Sequence, residues 1–235
     1  MTYIENPKTK TSGIYCCIPQ STRCPHHCAD CFFMSGRSYL EPIEEHLPNM
    51  PDIPAMQHRV IRVNDGNDSN NELELVIAAT QQYPLKFYNT SQPFNLDKFN
   101  APVVLTVNPG DMTDDRFYCV SANNLMFVRA RTNTWNLKLI DRIVDFYTPL
   151  EIPIVLTFMA YHTPQTDDYV LRKRTVNEYY AIKTKSWRKI LNRYKNNIYV
   201  DHCGKIEGDN THCRFCGNCL KHYFACMEKL DVTTR

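Results

Sequence analysis

Residues 24–33 read CPHHCADCFF, which sets Cys24, Cys28 and Cys31 at the spacing C-x3-C-x2-C. Thiolates are soft ligands that suit zinc and iron–sulfur clusters, and a structural zinc site takes four protein donors. Three thiols in eight residues leave one position open. A 4Fe–4S cube held by three cysteines keeps its fourth iron available to a ligand with chemistry of its own. The competing arrangement is a zinc site completed by His26 or His27. A second group stands near the other end: Cys203, then Cys213-x2-Cys216-x2-Cys219. The C-x2-C-x2-C run has the spacing of ferredoxin-type ligand runs, whose fourth thiolate comes from elsewhere. Cys203 is the natural fourth ligand, with Cys226 as the competitor. Four thiolates close a site, so this centre would be structural or would relay electrons, with a second 4Fe–4S cluster or zinc in it.

Eleven cysteines in 235 residues are distributed as two terminal groups, with Cys119 alone between them. The first ten residues lack the apolar stretch of an export signal, so the expected compartment is a reducing cytoplasm, where clustered thiols point to metal rather than disulfides. No apolar run approaches the roughly 18 residues of a membrane span, and no membrane is expected among the partners. A formal charge of +2 is too small to argue for nucleic acid by itself. His202, His212 and His222 are read as incidental, and Cys16 and Cys17 as small apolar residues facing a sheet.

The elements that must position these thiols alternate. Short apolar runs at 13–19, 58–64, 85–91, 101–108, 125–132, 152–161 and 197–202 read as strands. A helix is expected after 69, where Ser69 and Glu72 have capping-box spacing and Pro84 stops it. A second is expected after 132, with Leu137, Ile140, Val144 and Tyr147 on one face. A long basic helical region is expected over about 172–196. Near-continuous apolar strands alternating with helices argue for a parallel sheet covered by helices. A full eight-unit barrel needs about 250 residues. The fold class expected is therefore α/β, a partial (open) TIM-like barrel of six to seven parallel strands with a small C-terminal metal-cluster tail. The division is residues 1–200 for the barrel and 201–235 for the cysteine extension. In such folds chemistry gathers at the strand C-termini, where the first cysteine loop lies.

On these residues the chain resembles the radical S-adenosylmethionine (radical SAM) enzymes, whose C-x3-C-x2-C signature follows a first strand as CPHHCADC does here. The stretch 62–91 is also similar to phage-encoded radical-SAM-like proteins, which carry a C-terminal cysteine group. The resemblance implies that Cys24, Cys28 and Cys31 bind a 4Fe–4S cluster whose open iron chelates the methionine moiety of SAM. It implies cleavage of SAM to a 5′-deoxyadenosyl radical, hydrogen abstraction from an unidentified substrate, and an electron donor such as flavodoxin or ferredoxin. It also implies a host cytoplasm as the setting for a phage-encoded chain. The family usually has an aromatic residue before the third cysteine. Here it is Asp30, and Phe32 and Phe33 follow instead as candidates to shield the cluster. The turn after the second strand, Asp65, Gly66, Asn67 and Asp68, stands where the family receives the SAM amino group; Gly66 permits close backbone approach.

Asn89 and Ser91 end the third strand, and Asn108, Gly110 and Asp111 follow the fourth; in a barrel these line the SAM pocket. Arg129 and Arg131 share one face of the fifth strand. Inward, they would bind a carboxylate or phosphate; outward, they are merely solvated. The substrate class stays open between phosphorylated compounds and nucleic acid. The rival function is a non-catalytic, metal-stapled (zinc or iron–sulfur) nucleic-acid-binding or interaction protein, which requires two closed four-ligand sites. No H-E-x-x-H, phosphate loop or nucleophile elbow is present.

Overall fold

The computed structural model describes residues 2–26, 28, 31, 33, 38–52, 59–108, 122–161, 163–173, 178–204 and 213–233. Seven parallel strands form one sheet: β1 (Ile14–Cys17), β2 (Val60–Val63), β3 (Lys86–Thr90), β4 (Val103–Val107), β5 (Leu125–Thr132), β6 (Ile154–Phe158) and β9 (Val200–His202). Their order across the sheet is the order of the chain, β1-β2-β3-β4-β5-β6-β9. A sheet wound in one direction places its crossover helices on one side. Accordingly α1 (Leu73–Thr80), α2 (Leu137–Tyr147) and α3 (Thr184–Tyr194) share one apolar cluster with one face, through Val76, Ile140, Tyr147, Trp187 and Ile190 against Cys17, Ile61, Leu105, Val128 and Leu156. Arg188, Lys189 and Arg193 on α3 point outward, as the apolar stripe of Trp187, Ile190 and Tyr194 requires.

The other face is filled differently. Alternation turns Ile14, Val60, Phe87, Val104, Phe127 and Val155 to it, and they pack with Cys203 and with Cys219, Tyr223 and Cys226 of α4 (Asn218–Thr233). One short stretch of α4 meets both sheet edges. Leu220 lies against Gly13 beside β1, and Lys221 reaches Asp201 of β9 at 2.8 Å. A flat sheet with strands about 4.8 Å apart would hold those edges roughly 29 Å from each other. The sheet is therefore curled around α4. Its open β1 edge is met by the N-terminal segment, where the Tyr3 hydroxyl donates to the Cys16 carbonyl at 2.9 Å. Among the described residues no helix is long and apolar enough to cross a membrane.

Two expectations are corrected. The basic stretch begins as an antiparallel hairpin, β7 (Tyr169–Lys173) with β8 (Glu178–Ile182), and only α3 is helical. Its register sets Tyr169 against Ile182 and Leu171 against Tyr180, cross-strand pairs of aromatic and aliphatic residues that favour a sheet. Tyr169 is then buried against Tyr161 and Trp135. The capping box also does not form. Glu72 sits in the left-handed region with no side-chain cap, and the Ser69 hydroxyl accepts instead from the Asn64 side-chain amide at 3.1 Å.

Candidate metal centres and the strand ends around them

The first cysteine loop leaves β1 at the C-terminal edge of the sheet and is held at several points. Gln20 donates its amide to the carbonyls of Asp68 and Asn71, both at 2.9 Å, and Asn67 donates to the Thr22 carbonyl at 3.0 Å. Arg23 grips Glu44 with two guanidinium nitrogens. Cys24, Cys28 and Cys31 are half-buried, and the Cys31 amide closes a turn onto the Cys28 carbonyl at 3.2 Å. Burial first, with like charge from Asp68, Cys28 and Cys31 adding to it, pushes the Cys24 thiol up to about 11. Among the described residues no three histidine, cysteine or acidic side chains lie close enough to share one ion. Cys24, Cys28 and Cys31 lie on one loop, and soft thiols of this kind are the donors that an iron–sulfur cluster takes. His27, Asp30 and Phe32 lie outside the described residues.

Phe33 is buried among Ile18, Leu40, Ile43 and Leu47, and its ring lies on Gly66. A Cβ at position 66 would collide with that ring. The close approach that Gly66 permits is thus made by the cysteine loop's own aromatic residue. A Gly66→Ala variant should unseat Phe33 and loosen this loop, read as proteolysis between 20 and 45 at rates several-fold above wild type. Equal protection of the two proteins would refute the packing argument.

The remaining turn residues tie strand ends together. Asp68 is buried, and its carboxylate accepts from the Thr90 hydroxyl at 2.6 Å, the Asn70 amide at 2.9 Å, and the Ser91 amide and hydroxyl at 2.7 and 2.8 Å. Four donors fill the roughly four lone-pair sites of a carboxylate. Asp65 is also buried; Asn6 donates to one of its oxygens and Tyr39 approaches the other at 3.4 Å, which leaves acceptor capacity. Asn67 accepts from the Asp68 amide at 2.9 Å. Asn89 donates to the Val63 carbonyl and accepts from Arg129, both at 2.9 Å. Asn108 is buried just beyond β4, whereas Gly110, Asp111 and Cys119 lie outside the described residues. The structure brings Asn67, Asp68 and Ser91 into one network with Gln20, a residue the sequence reading passed over. Nothing in the sequence marks that glutamine except its place just past a strand.

At the C-terminal group, Cys203 follows β9, with its amide donating to the Leu156 carbonyl at 2.8 Å. Cys213 and Cys216 precede α4 across one 3-10 turn, and Cys219 sits in the helix's first turn. The Asn218 side chain ties this helix start to the His202 carbonyl at 2.7 Å. Cys219, Tyr223 and Cys226 occupy one helix face, so Cys226 stands two turns, about 10 Å, beyond Cys219. Its sulfur lies 4.0 Å from the Asn124 carbonyl, just before β5. Cys203, Cys219 and Cys226 share one apolar cluster on the inner face of the sheet. The side chain of Cys213, and His212, lie outside the described residues.

Beside that group Asp201 accepts from Lys221 at 2.8 Å and lies 3.0 Å from Nε2 of His222, whose ring is tilted against Phe127 at 5.3 Å between centres. His222 first, then Lys221, hold the Asp201 carboxyl down at about 2, from an ordinary 3.8. A depressed carboxyl contributes stability that is present above its unfolded pKa and lost as pH falls toward the folded one. Wild type should thus lose stability between pH 3.8 and about 2 relative to Asp201→Asn. At pH 7 the variant should be less stable by about 1–2 kcal/mol, the scale of hydrogen bonds to a charged group. Denaturant melts at both ends of the range check this; parallel pH profiles for the two proteins would count against it.

No family model matches the chain, and no match is found among curated proteins or solved structures.

Proposed function

We propose that the chain is a radical SAM enzyme built on an open, barrel-like parallel sheet. The observation that carries the reading is the three-thiol loop. It leaves the first strand at the end where all seven strands point their C-termini, in a sheet ordered strand by strand along the chain. Curling around α4 supports an open barrel, and the spacing of three thiols on one loop supports a 4Fe–4S occupant. When bound there, such a cluster delivers one electron to the sulfonium of SAM, which cleaves to methionine and a 5′-deoxyadenosyl radical that abstracts hydrogen from the substrate.

The chain's own task is to bind, orient and exclude water. Cys24, Cys28 and Cys31 would hold the cluster, while Phe33 with Ile18, Leu40, Ile43 and Leu47 keeps a dry layer beneath the loop. Asp65 retains acceptor capacity for the SAM ammonium, whereas Asp68 serves by fixing the turn to β3. Asn89, Ser91 and Asn108 stand at the strand ends where the nucleoside would lie. Cys203, Cys213, Cys216 and Cys219 would hold a closed auxiliary cluster or zinc. An electron donor of the flavodoxin or ferredoxin class is required, and a cytoplasmic setting suits it.

Anaerobic reconstitution with iron and sulfide, followed by dithionite and SAM, tests the reading. The EPR signal of the reduced cluster should shift on adding SAM, and 5′-deoxyadenosine should accumulate slowly without substrate. A colourless protein that holds only zinc would overturn it in favour of a metal-stapled binding protein.

A further inference from the structure

Alternation along β5 places Arg129 and Arg131 on the face that carries Phe127, the inner face of the curled sheet. Arg62 of β2 shares that face, in register with Phe87. The half of this face toward the strand N-termini is apolar and packed on α4. The half toward the C-termini is polar: Arg62, Asn89, Thr106, Arg129, Arg131 and Thr157. Arg129 is half-buried. Its Nη1 donates to Asn89 Oδ1 at 2.9 Å and approaches Thr106 Oγ1 at 3.4 Å, and its carbon Cζ lies 5.6 Å from the Phe127 ring centre. Asn89 is itself fixed by donating to the Val63 carbonyl, so its oxygen must face the guanidinium. Neutral acceptors thus hold one nitrogen of the fork, and among the described residues no carboxylate pairs with Arg129. Its Nε and Nη2 donors remain for another group.

A second, independent atom points to the same place. Thr157 lies on β6, in register with Arg131 and diagonal to Arg129 on the same face. Its Oγ1 is buried with no hydrogen-bond partner. A buried hydroxyl without a partner and a half-buried cation without an anion each cost stability. One oxyanion satisfies both, since it accepts the planar fork bidentately and the hydroxyl as a third donor.

We propose that Arg129 and Thr157 form an oxyanion-binding subsite on the inner face of the sheet, taking the carboxylate or phosphate of the substrate. Arg62 and Arg131 have contacts of their own and add positive field. Assigning the anion to the substrate rests on the radical SAM reading; the subsite itself does not.

Thermal shift and calorimetry on the full chain at low ionic strength test it, with inorganic phosphate and acetate as probes. At least one probe should raise the wild-type melting temperature saturably, as a ligand specific to the native state must, and comparing the two assigns phosphate or carboxylate. Arg129→Gln should bind on the order of tenfold more weakly, the scale of a lost charged hydrogen bond, and should melt no lower than wild type, because an uncompensated cation has been removed. Thr157→Val, which keeps the shape, should weaken binding in the same direction, and Lys189→Gln on the outer face of α3 should not. Cys28→Ala should bind the probe like wild type, so the subsite stands or falls apart from the cluster. Absence of saturation with both probes, undiminished binding by Arg129→Gln, or a lowered melting temperature for that variant overturns the subsite. In reconstituted protein, SAM and the probe should bind together; competition would give the oxyanion site to the SAM carboxylate and overturn the assignment to substrate.

Discussion

Reconstituted anaerobically and supplied with dithionite and SAM, the Cys28→Ala protein should form no 5′-deoxyadenosine above background. Its iron content should fall by one cluster, while the metal of the C-terminal group stays. Cys28 is the middle of three thiols, and the turn from its carbonyl to the Cys31 amide sets the loop's course. With one thiol removed, two donors remain for a cube that requires three. The loss of activity should therefore be complete rather than graded, whereas removing a single supporting hydrogen bond to the loop would cost about tenfold to a hundredfold. Chromatography of the reaction mixture and iron and sulfide counts decide the matter. A Cys28→Ala protein that still cleaves SAM would refute the assignment of the first loop.

Tyr223→Ala should destabilise the fold by about 3–5 kcal/mol, the range for deleting a large buried aromatic side chain. Tyr223 is 1% exposed, and its ring centre lies 6.2 Å from that of Phe87. It stands between Cys219 and Cys226 on the face of α4 that fills the curled sheet. Its loss should loosen the helix that carries Cys219 and so weaken metal retention at the second group. Tyr223→Phe removes only the hydroxyl and keeps the packed ring, so it should melt close to wild type. Urea melts with metal content measured on the same samples distinguish the two. If Tyr223→Ala melts like wild type, α4 is not the internal support described here.

Much of the sheet was legible because its information is local. Strands buried on both faces read as apolar runs, and all seven runs became strands of the parallel sheet, with β5 matching its range residue for residue. The stripe of Ile140, Val144 and Tyr147 gave α2 for the same reason. The hairpin of β7 and β8 was missed because nine basic residues outweighed its alternating aromatic and aliphatic positions. Helix α4 was not legible because its start is a cysteine run whose spacing also suits ligation, although Cys219, Tyr223 and Cys226 recur at helical intervals. The roles of Gly66 and Asp68 depend on partners more than 20 residues away, Phe33 and Thr90, which no spacing rule connects.

By itself the sequence determined which residue types could bind metal, at what intervals, and on which strands the polar ends would fall. Alternation alone also put Arg129 and Arg131 on a common face, but it left open which face. Tertiary structure decided that they turn inward, that Cys226 lies about two turns from Cys219, and that one helix reaches both edges of the sheet. The reason is the curl of the sheet. Periodicity fixes how a side chain points relative to its own strand, whereas convergence of side chains from distant strands depends on how the whole sheet bends around what fills it.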